Sequence, residues 1–253
     1  MPDFTIVVGV DRKHLGQLRI TFPNWARNKP SLLSHPMLAF YDPKEVTESD
    51  VRRNVRHPNL GVVPWDPRTI SNGRSPSQGK WDDPQRGRML AGFVHVPAAH
   101  VTTDYFLKLD TDTVAREPDD WIDESWFQDS PAIVAHAWSF TKPADQMLVL
   151  DEWAENHPDV FRGTHPLNLA PQPGWSRLGH RRIISWCGFF ETRFTKLCSA
   201  IAGGESLPVP SQDGFMWYMA TRLGRPVIRA ILKGRGWEHW STMRNIASAV
   251  GRK

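Results

Sequence analysis

Three short apolar runs near the N-terminus restrict the fold more than any other feature: "FTIVVGV" (4–10), "MLAFYD" (37–42) and "LGVVPWD" (60–66). A short continuous apolar run is the pattern of a strand buried on both faces. Between the first two, Leu15, Leu18, Phe22 and Trp25 recur at helical spacing, and Pro23 is expected to kink or end that helix. Between the second and third, "VTESDVRRNVRH" (46–57) reads as a helix, with Thr47 and Asp50 placed as a capping pair. Strands and helices alternating in this way predict an α/β chain with a mainly parallel central sheet flanked by helices.

The remainder continues the pattern less regularly. Residues 66–88 are rich in Gly, Pro, Ser and charge and read as a long exposed loop of the kind that often carries function. "RMLAGFVHVPAAHV" (88–101) reads as a helix interrupted near Pro97 and leads into the strand "YFLKL". A strand is expected at "AIVAHAWSF" (132–140), a helix at "PADQMLVLDEWAENH" (143–157), a loop over 158–182 and a strand at "RIISWCGFF" (182–190). A final helix is expected at "SQDGFMWYMATRLG" (211–224), with Ser211 as cap and Gly224 as stop. The chain of 253 residues shows no internal repeat and reads as one continuous domain, long enough for a sizeable core.

Composition narrows the class. Hydrophobic residues make up 40% and charged residues 23%, ordinary values for a soluble globular protein. Two cysteines, Cys187 and Cys198, provide no disulfide framework. No leader segment precedes the first apolar run, and no run reaches the ~18 apolar residues of a membrane span. A cytoplasmic protein is therefore expected. The net charge of +4 is uneven: residues 222–253 hold eight basic residues against one acid, Glu238. Such a segment suits phosphate groups on a small donor or on a polymer, or forms a solvated surface. Twelve tryptophans provide either a large aromatic core or flat stacking surfaces.

The chemistry concentrates in "YFLKLDTDTV" (105–114), where an apolar strand ends in Asp110 and Asp112, the one Asp-x-Asp of the chain. In α/β proteins ligands gather where strands leave the sheet at their carboxyl ends. Two carboxylates at one buried strand end repel each other unless a cation or a basic partner joins them. Carboxylate oxygens are hard ligands suited to Mg²⁺ or Mn²⁺ that also hold substrate phosphates.

This segment resembles the Asp-x-Asp segment of glycosyltransferases with the GT-A fold. The order of elements is also similar over most of the chain. A strand opens it, alternating units lead to the Asp-x-Asp, and a glycine-containing strand follows ("SWCGFFETRF"). An acidic residue then opens a later helix ("PSQDGFMWYMATRLG"), and a histidine lies near the end ("GWEHW"). The resemblance implies a Rossmann-like GT-A fold, with residues 1–114 as a nucleotide-binding half and 115–253 as an acceptor-binding half. It implies Mn²⁺ or Mg²⁺ as cofactor and a nucleoside-diphosphate sugar of UDP or GDP type as donor. Asp112 would be the main metal ligand, Asp110 would meet the ribose or the metal through water, and His239 would be a third ligand. Val8, Gly9, Val10 and Asp11 at the end of the first strand, with Asp42 after the second, would approach base and ribose. Either aspartate serves equally as a helix cap, and His239 equally as a packed residue.

Asp213 is the candidate general base. Transfer with inversion needs a carboxylate to take the acceptor's hydroxyl proton, and a helix start presents one rigidly. The same Ser211-Gln212-Asp213 cluster also suits an N-terminal cap, and a retaining mechanism stays open. Lys233 and Arg235, in the glycine-containing "LKGRGWEHW", are candidates for closing over the diphosphate, and Trp186, Trp217, Trp237 and Trp240 flank these motifs. The acceptor is expected to be a saccharide or a hydroxymethylated base in DNA. Three rivals stand beside this reading: a metal-dependent nucleotidyltransferase, a metal-dependent phosphohydrolase, and a non-catalytic nucleic-acid- or carbohydrate-binding protein. The glycine-poor "VVGVDRKHLGQL" after the first strand weighs against the first.

Overall fold

The structure is a computed structural model that describes residues 2–69, 84–117, 119–136, 138–140, 144–164, 181–183, 187–203, 207–209, 212–230, 236–240 and 242–251. Its centre is a seven-stranded sheet built from β1 (Phe4–Val10), β2 (Met37–Tyr41), β3 (Leu60–Pro64), β4 (Tyr105–Leu109), β6 (Ile133–His136), β9 (Cys187–Glu191) and β10 (Val227–Ala230). The strand order is β10-β6-β9-β4-β1-β2-β3. β1, β2, β3 and β4 are mutually parallel where they pair, and β10 is parallel to β6. β9 runs antiparallel to both of its neighbours, β4 and β6. Pro64 falls on β3, at the sheet edge, where a missing N–H leaves no partner unpaired.

Helices cover both faces. On one face α1 (Arg12–Asn28) lays Leu15, Leu18, Phe22 and Trp25 against Ile6, Val8 and Val10 of β1, and α2 (Glu48–Asn54) adds Val51. On the other face α3 (Pro84–His100), α6 (Thr192–Ala202) and α7 (Gln212–Arg222) enclose Val7, Phe40, Phe106 and Phe190 of the sheet. Each of these fully buried large side chains contributes about 1.5–3 kcal/mol relative to exposure. α2 begins in the expected capping box: Thr47 accepts from the Asp50 N–H, and the Asp50 carboxylate accepts from the Thr47 N–H.

Beside the main sheet stand two ribbons. β5 (Thr113–Ala115) pairs antiparallel with β11 (Trp237–His239), and β7 (Trp138–Phe140) pairs antiparallel with β8 (Arg181–Ile183). α4 (Ala144–Glu155), the short α5 (Pro158–Phe161) and α8 (Met243–Val250) complete the chain. Among the described residues, no helix is long and apolar enough to cross a membrane.

Several elements depart from the sequence expectation. α1 runs through Pro23, and α3 through Pro97, because each proline removes a single helical bond while its flanking residues stay packed. α3 begins at Pro84, inside the segment expected to be a loop; residues 70–83 lie outside the description. The run 132–140 is divided between β6 in the main sheet and β7 in a ribbon, and the run 182–190 between β8 and β9. The expected loop 158–182 contains α5 and ends in β8. α6, α8, β5, β10 and β11 were not anticipated. Cys187 and Cys198 are both buried free thiols.

Candidate functional site

β4 delivers its carboxyl end between β1 and β9, in the middle of the sheet. All five of its residues are buried, Lys108 included at 3% exposure. Lys108 and Asp110 are two residues apart, so the extended strand turns both toward one face. Lys108 Nζ lies 2.6 Å from Asp110 Oδ1 and sits over the Phe93 ring, 4.9 Å from its centroid. Burial alone would lower the ammonium's pKa; the carboxylates of Asp110, Asp213 and Asp112 outweigh it and hold Lys108 above its ordinary value. Burial raises Asp110, and Lys108 offsets that only in part, with Asp112 and Asp213 adding to the rise.

Asp112 has a different partner. After Asp110 the chain turns, with the Thr113 N–H and hydroxyl both donating to the Asp110 carbonyl at 3.0 and 2.8 Å. It then enters β5, which pairs with β11 in the register His239 opposite Thr113. The Trp240 N–H donates to the Asp112 carbonyl at 3.0 Å, and His239 Nε2 comes to 3.1 Å from Asp112 Oδ1. Burial pushes Asp112 up, but the His239 hydrogen bond and charge outweigh it and hold the carboxyl below its usual value. Burial would lower His239; Asp112, with Asp110 behind it, raises it instead.

One ligand atom from each of Asp110, Asp112 and His239 falls within 4.8 Å of the other two. Two carboxylates and an imidazole form a donor set that fits Mn²⁺ or Mg²⁺. Lys108 already occupies one oxygen of Asp110, and Asp112 and His239 face each other at 3.1 Å, so all three donors stand close enough to share one ion. Asp213, half-buried in the first turn of α7, acts electrostatically on both Lys108 and Asp110, so this helix opens on the same centre. Lys108 is the residue that sequence reasoning overlooked. Its signal was available, since a lysine inside a buried strand requires a carboxylate partner.

The remaining candidates are distributed around this centre. Val8 and Val10 point into the core, so only their backbone can face a ligand. Gly9 leaves no room for a side chain, as a Cβ there would meet the Phe40 ring at 2.7 Å. Asp11 caps α1 by accepting from the His14 N–H at 2.8 Å, and His14 Nδ1 lies 2.7 Å from the same oxygen. Burial raises Asp11, while the His14 contacts lower it further than burial raises it. Asp42 is buried after β2, where Arg68 grips both its oxygens and also reaches Asp66 at 2.7 Å. Lys233, Arg235, Trp186 and Ser211 lie outside the described residues. Trp237, which flanks these motifs in the sequence, is a core residue at 2% exposure, edge-on to Trp121, and so presents no stacking surface. Trp217 packs half-buried on the core. Within the basic segment, Arg222 is tied to Asp151 at 2.8 Å and Arg225 to Glu191 at 2.5 Å, so neither is part of a free phosphate-binding surface.

A mostly parallel sheet whose carboxyl edge carries an Asp-Asp-His cluster places these side chains where α/β proteins gather ligands. No family model matches the sequence, and no curated protein matches it. Solved structures do match, and they give the fold: it is that of the GT-A glycosyltransferases. Core-mannan synthase A (CmsA/Ktr4) from Aspergillus fumigatus, in an Mn/GDP form, aligns with a TM-score of 0.62 at 13% identity, over 94% of this chain and 75% of that one. The galactosyltransferase LgtC, in complex with donor and acceptor sugar analogs, aligns with a TM-score of 0.51 at 12% identity, over 89% and 73%. A putative glucose-1-phosphate thymidylyltransferase from Bacillus anthracis also aligns, with a TM-score of 0.53 at 9% identity, over 98% and 94%. The fold is thus shared with a nucleotidyltransferase, and the reaction has to be argued from the site.

Proposed function

We propose that the chain is a divalent-metal-dependent glycosyltransferase that moves a sugar from a nucleoside-diphosphate donor to an acceptor hydroxyl. The observation that carries this reading is the convergence of Asp110, Asp112 and His239 at the carboxyl edge of the sheet, with Asp213 in the first turn of α7 near enough to act on Lys108 and Asp110. The nucleotidyltransferase alternative is disfavoured by the start of α1. Asp11 caps that helix directly after β1, which leaves no space for a glycine-rich phosphate loop.

Asp112 and His239 would hold Mn²⁺ or Mg²⁺, with Asp110 meeting the ion or the ribose through water. The metal would neutralise the diphosphate as it leaves. The ends of β1 and β2 would border the nucleoside, with Asp11 at the rim, and Lys233 and Arg235 would close over the phosphates; Asp42, buried and held on both oxygens by Arg68, would act there only through that arginine. A Mn/GDP complex of a similar fold makes GDP-sugars the first donors to test, with UDP-sugars beside them. Asp213 is proposed as the base. The acceptor oxygen attacks the anomeric carbon, the bond from that carbon to the diphosphate oxygen breaks, and the hydroxyl proton passes to the Asp213 carboxylate. The product's anomeric configuration tests this: inversion is expected, and retention would remove Asp213 from the role of base.

The proposed acceptor is a saccharide. Hydroxymethylated DNA belongs in the same screen, although Arg222 and Arg225 are held internally. The deciding experiment measures melting with Mn²⁺ and GDP or UDP, then donor turnover by wild type and Asp112→Ala. Stabilisation by a nucleoside diphosphate, with turnover lost in the folded variant, is expected. No melting shift with either nucleotide would overturn the reading.

A further inference from the structure

Helix α1 carries two inner faces of different chemistry. Its apolar face packs on β1, as described. A second stripe, Gln17, Thr21, Asn24 and Asn28 at spacings of four, three and four, lies beside it together with the Trp25 indole N–H. Gln17, Thr21 and Asn24 are fully buried.

All of these groups address one stretch of five residues, 111–115. Gln17 Oε1 accepts from the Thr111 hydroxyl at 2.5 Å, and the Thr21 hydroxyl lies 2.9 Å from the Thr111 carbonyl. The Trp25 indole donates to the Thr113 carbonyl at 2.8 Å. The Asn24 carboxamide grips Ala115 from both sides, accepting from its N–H at 2.7 Å and donating to its carbonyl at 3.1 Å. Asn28 donates to the same carbonyl at 2.7 Å. The stretch held in this way contains Asp112 and forms β5, the strand on which β11 sets His239.

β5 belongs to a two-stranded ribbon, so the main sheet cannot fix its position. Apolar contact alone would leave it free to slip, whereas a buried and satisfied polar network specifies one register. We propose that this stripe of α1 is the positioning element of the metal centre: it fixes where Asp112 and His239 stand relative to each other and thereby sets the affinity for the divalent cation. The inference rests on the reading that these two residues ligate the metal. The competing account is that the stripe only satisfies backbone groups of β5 and contributes stability without tuning the centre.

The two accounts separate in a Mn²⁺ titration without donor, read by the electron paramagnetic resonance of free Mn²⁺. Thr21→Val removes one bond to the stretch while keeping shape, and Trp25→Phe removes another together with one ring of a core side chain, a packing loss the melting curves record; they are measured singly and together, with circular dichroism and melting curves. Tyr105→Phe is the control, since it deletes a buried bond to the Pro131 carbonyl at the opposite end of β4. The folded double variant is expected to bind Mn²⁺ at least about tenfold more weakly, and each single variant measurably so. Tyr105→Phe should lose stability at unchanged affinity. If the stripe variants melt lower yet keep wild-type affinity within about twofold, the proposal fails. Asp112→Ala is the separate check on the ligand assignment. Wild-type Mn²⁺ affinity in that variant would overturn the metal centre itself, whatever the stripe does.

Discussion

Lys108, on a strand whose every residue is buried, forms an ion pair of 2.6 Å with Asp110 just past the strand's end. The pair answers the problem of two aspartates at one strand end: in the protein alone, Lys108 pairs with Asp110, and His239 Nε2 lies 3.1 Å from Asp112. Lys108→Met should therefore destabilise the protein. Removing one partner of a buried pair costs several kcal/mol, but Asp110 keeps a third of its side chain in solvent, so about 1–3 kcal/mol is expected. The freed carboxylate should also make the variant depend more on metal. Mn²⁺ should raise its melting temperature more than that of wild type. Equal shifts in both proteins would contradict this account.

Gly236 precedes β11 with φ at +81°, and a Cβ there would run into the Arg116 carbonyl and come within 2.6 Å of Lys29 Nζ. The Arg116 N–H donates to the Gly236 carbonyl at 2.6 Å, which closes the ribbon at this end. Gly236→Ala should cost about 1–3 kcal/mol through the left-handed backbone and the clash combined. Three residues on lies His239, so Mn²⁺ affinity should fall as well. Melting curves and a Mn²⁺ titration on the same sample check both effects.

His57 is buried below α2, with Nδ1 accepting from the Asn59 N–H at 3.1 Å and Nε2 facing the Leu32 carbonyl at 3.3 Å. Burial holds its pKa below the ordinary 6.5, and burial does the same for His35, stacked on Phe4 at 3.7 Å. Both groups bind protons more readily unfolded than folded. Their contribution to stability is thus complete above the unfolded value of 6.5 and is lost as pH falls from there toward the folded values. The melting temperature should drop between about pH 7.5 and about pH 5.5, and His57→Gln should flatten part of that slope. Because Asp112 shifts His239 the opposite way, the deciding comparison is between proteins: equal slopes in wild type and His57→Gln would rule this out.

The parallel half of the sheet was legible because β1, β2 and β3 are continuous apolar runs, and α2 because Thr47 and Asp50 spell out its cap. The reversed direction of β9 was not legible. β9 reads as apolar in either direction, and only its insertion between β4 and β6 makes it antiparallel. α6 was missed because its buried face is Thr192, Thr195 and Cys198 beside Phe194, residues that do not register as an apolar stripe. In the site, Asp110 and Asp112 stand out by spacing. The stripe on α1 does not, since Gln17, Thr21, Asn24 and Asn28 look like an ordinary solvated helix face until the fold turns them onto β5. Arg68 is equally silent in the sequence: nothing in the order of residues says that a loop arginine will grip Asp42.

Asp213 provides the sharpest test of the proposed chemistry. It opens α7, and its charge is felt by Lys108 and Asp110. Asp213→Asn keeps the shape and removes the proton acceptor. If Asp213 is the base, transfer to the acceptor should fall by about 10²–10⁴-fold while Mn²⁺ and nucleoside diphosphate still bind. The loss should lie in kcat rather than in the donor KM, because the carboxylate acts on the acceptor's proton only as the bond to the donor breaks. If Asp213 instead only balances Lys108, the variant should lose stability and keep its turnover. Steady-state kinetics with the donor identified in the nucleotide-sugar screen, beside a melting curve, distinguish the two roles.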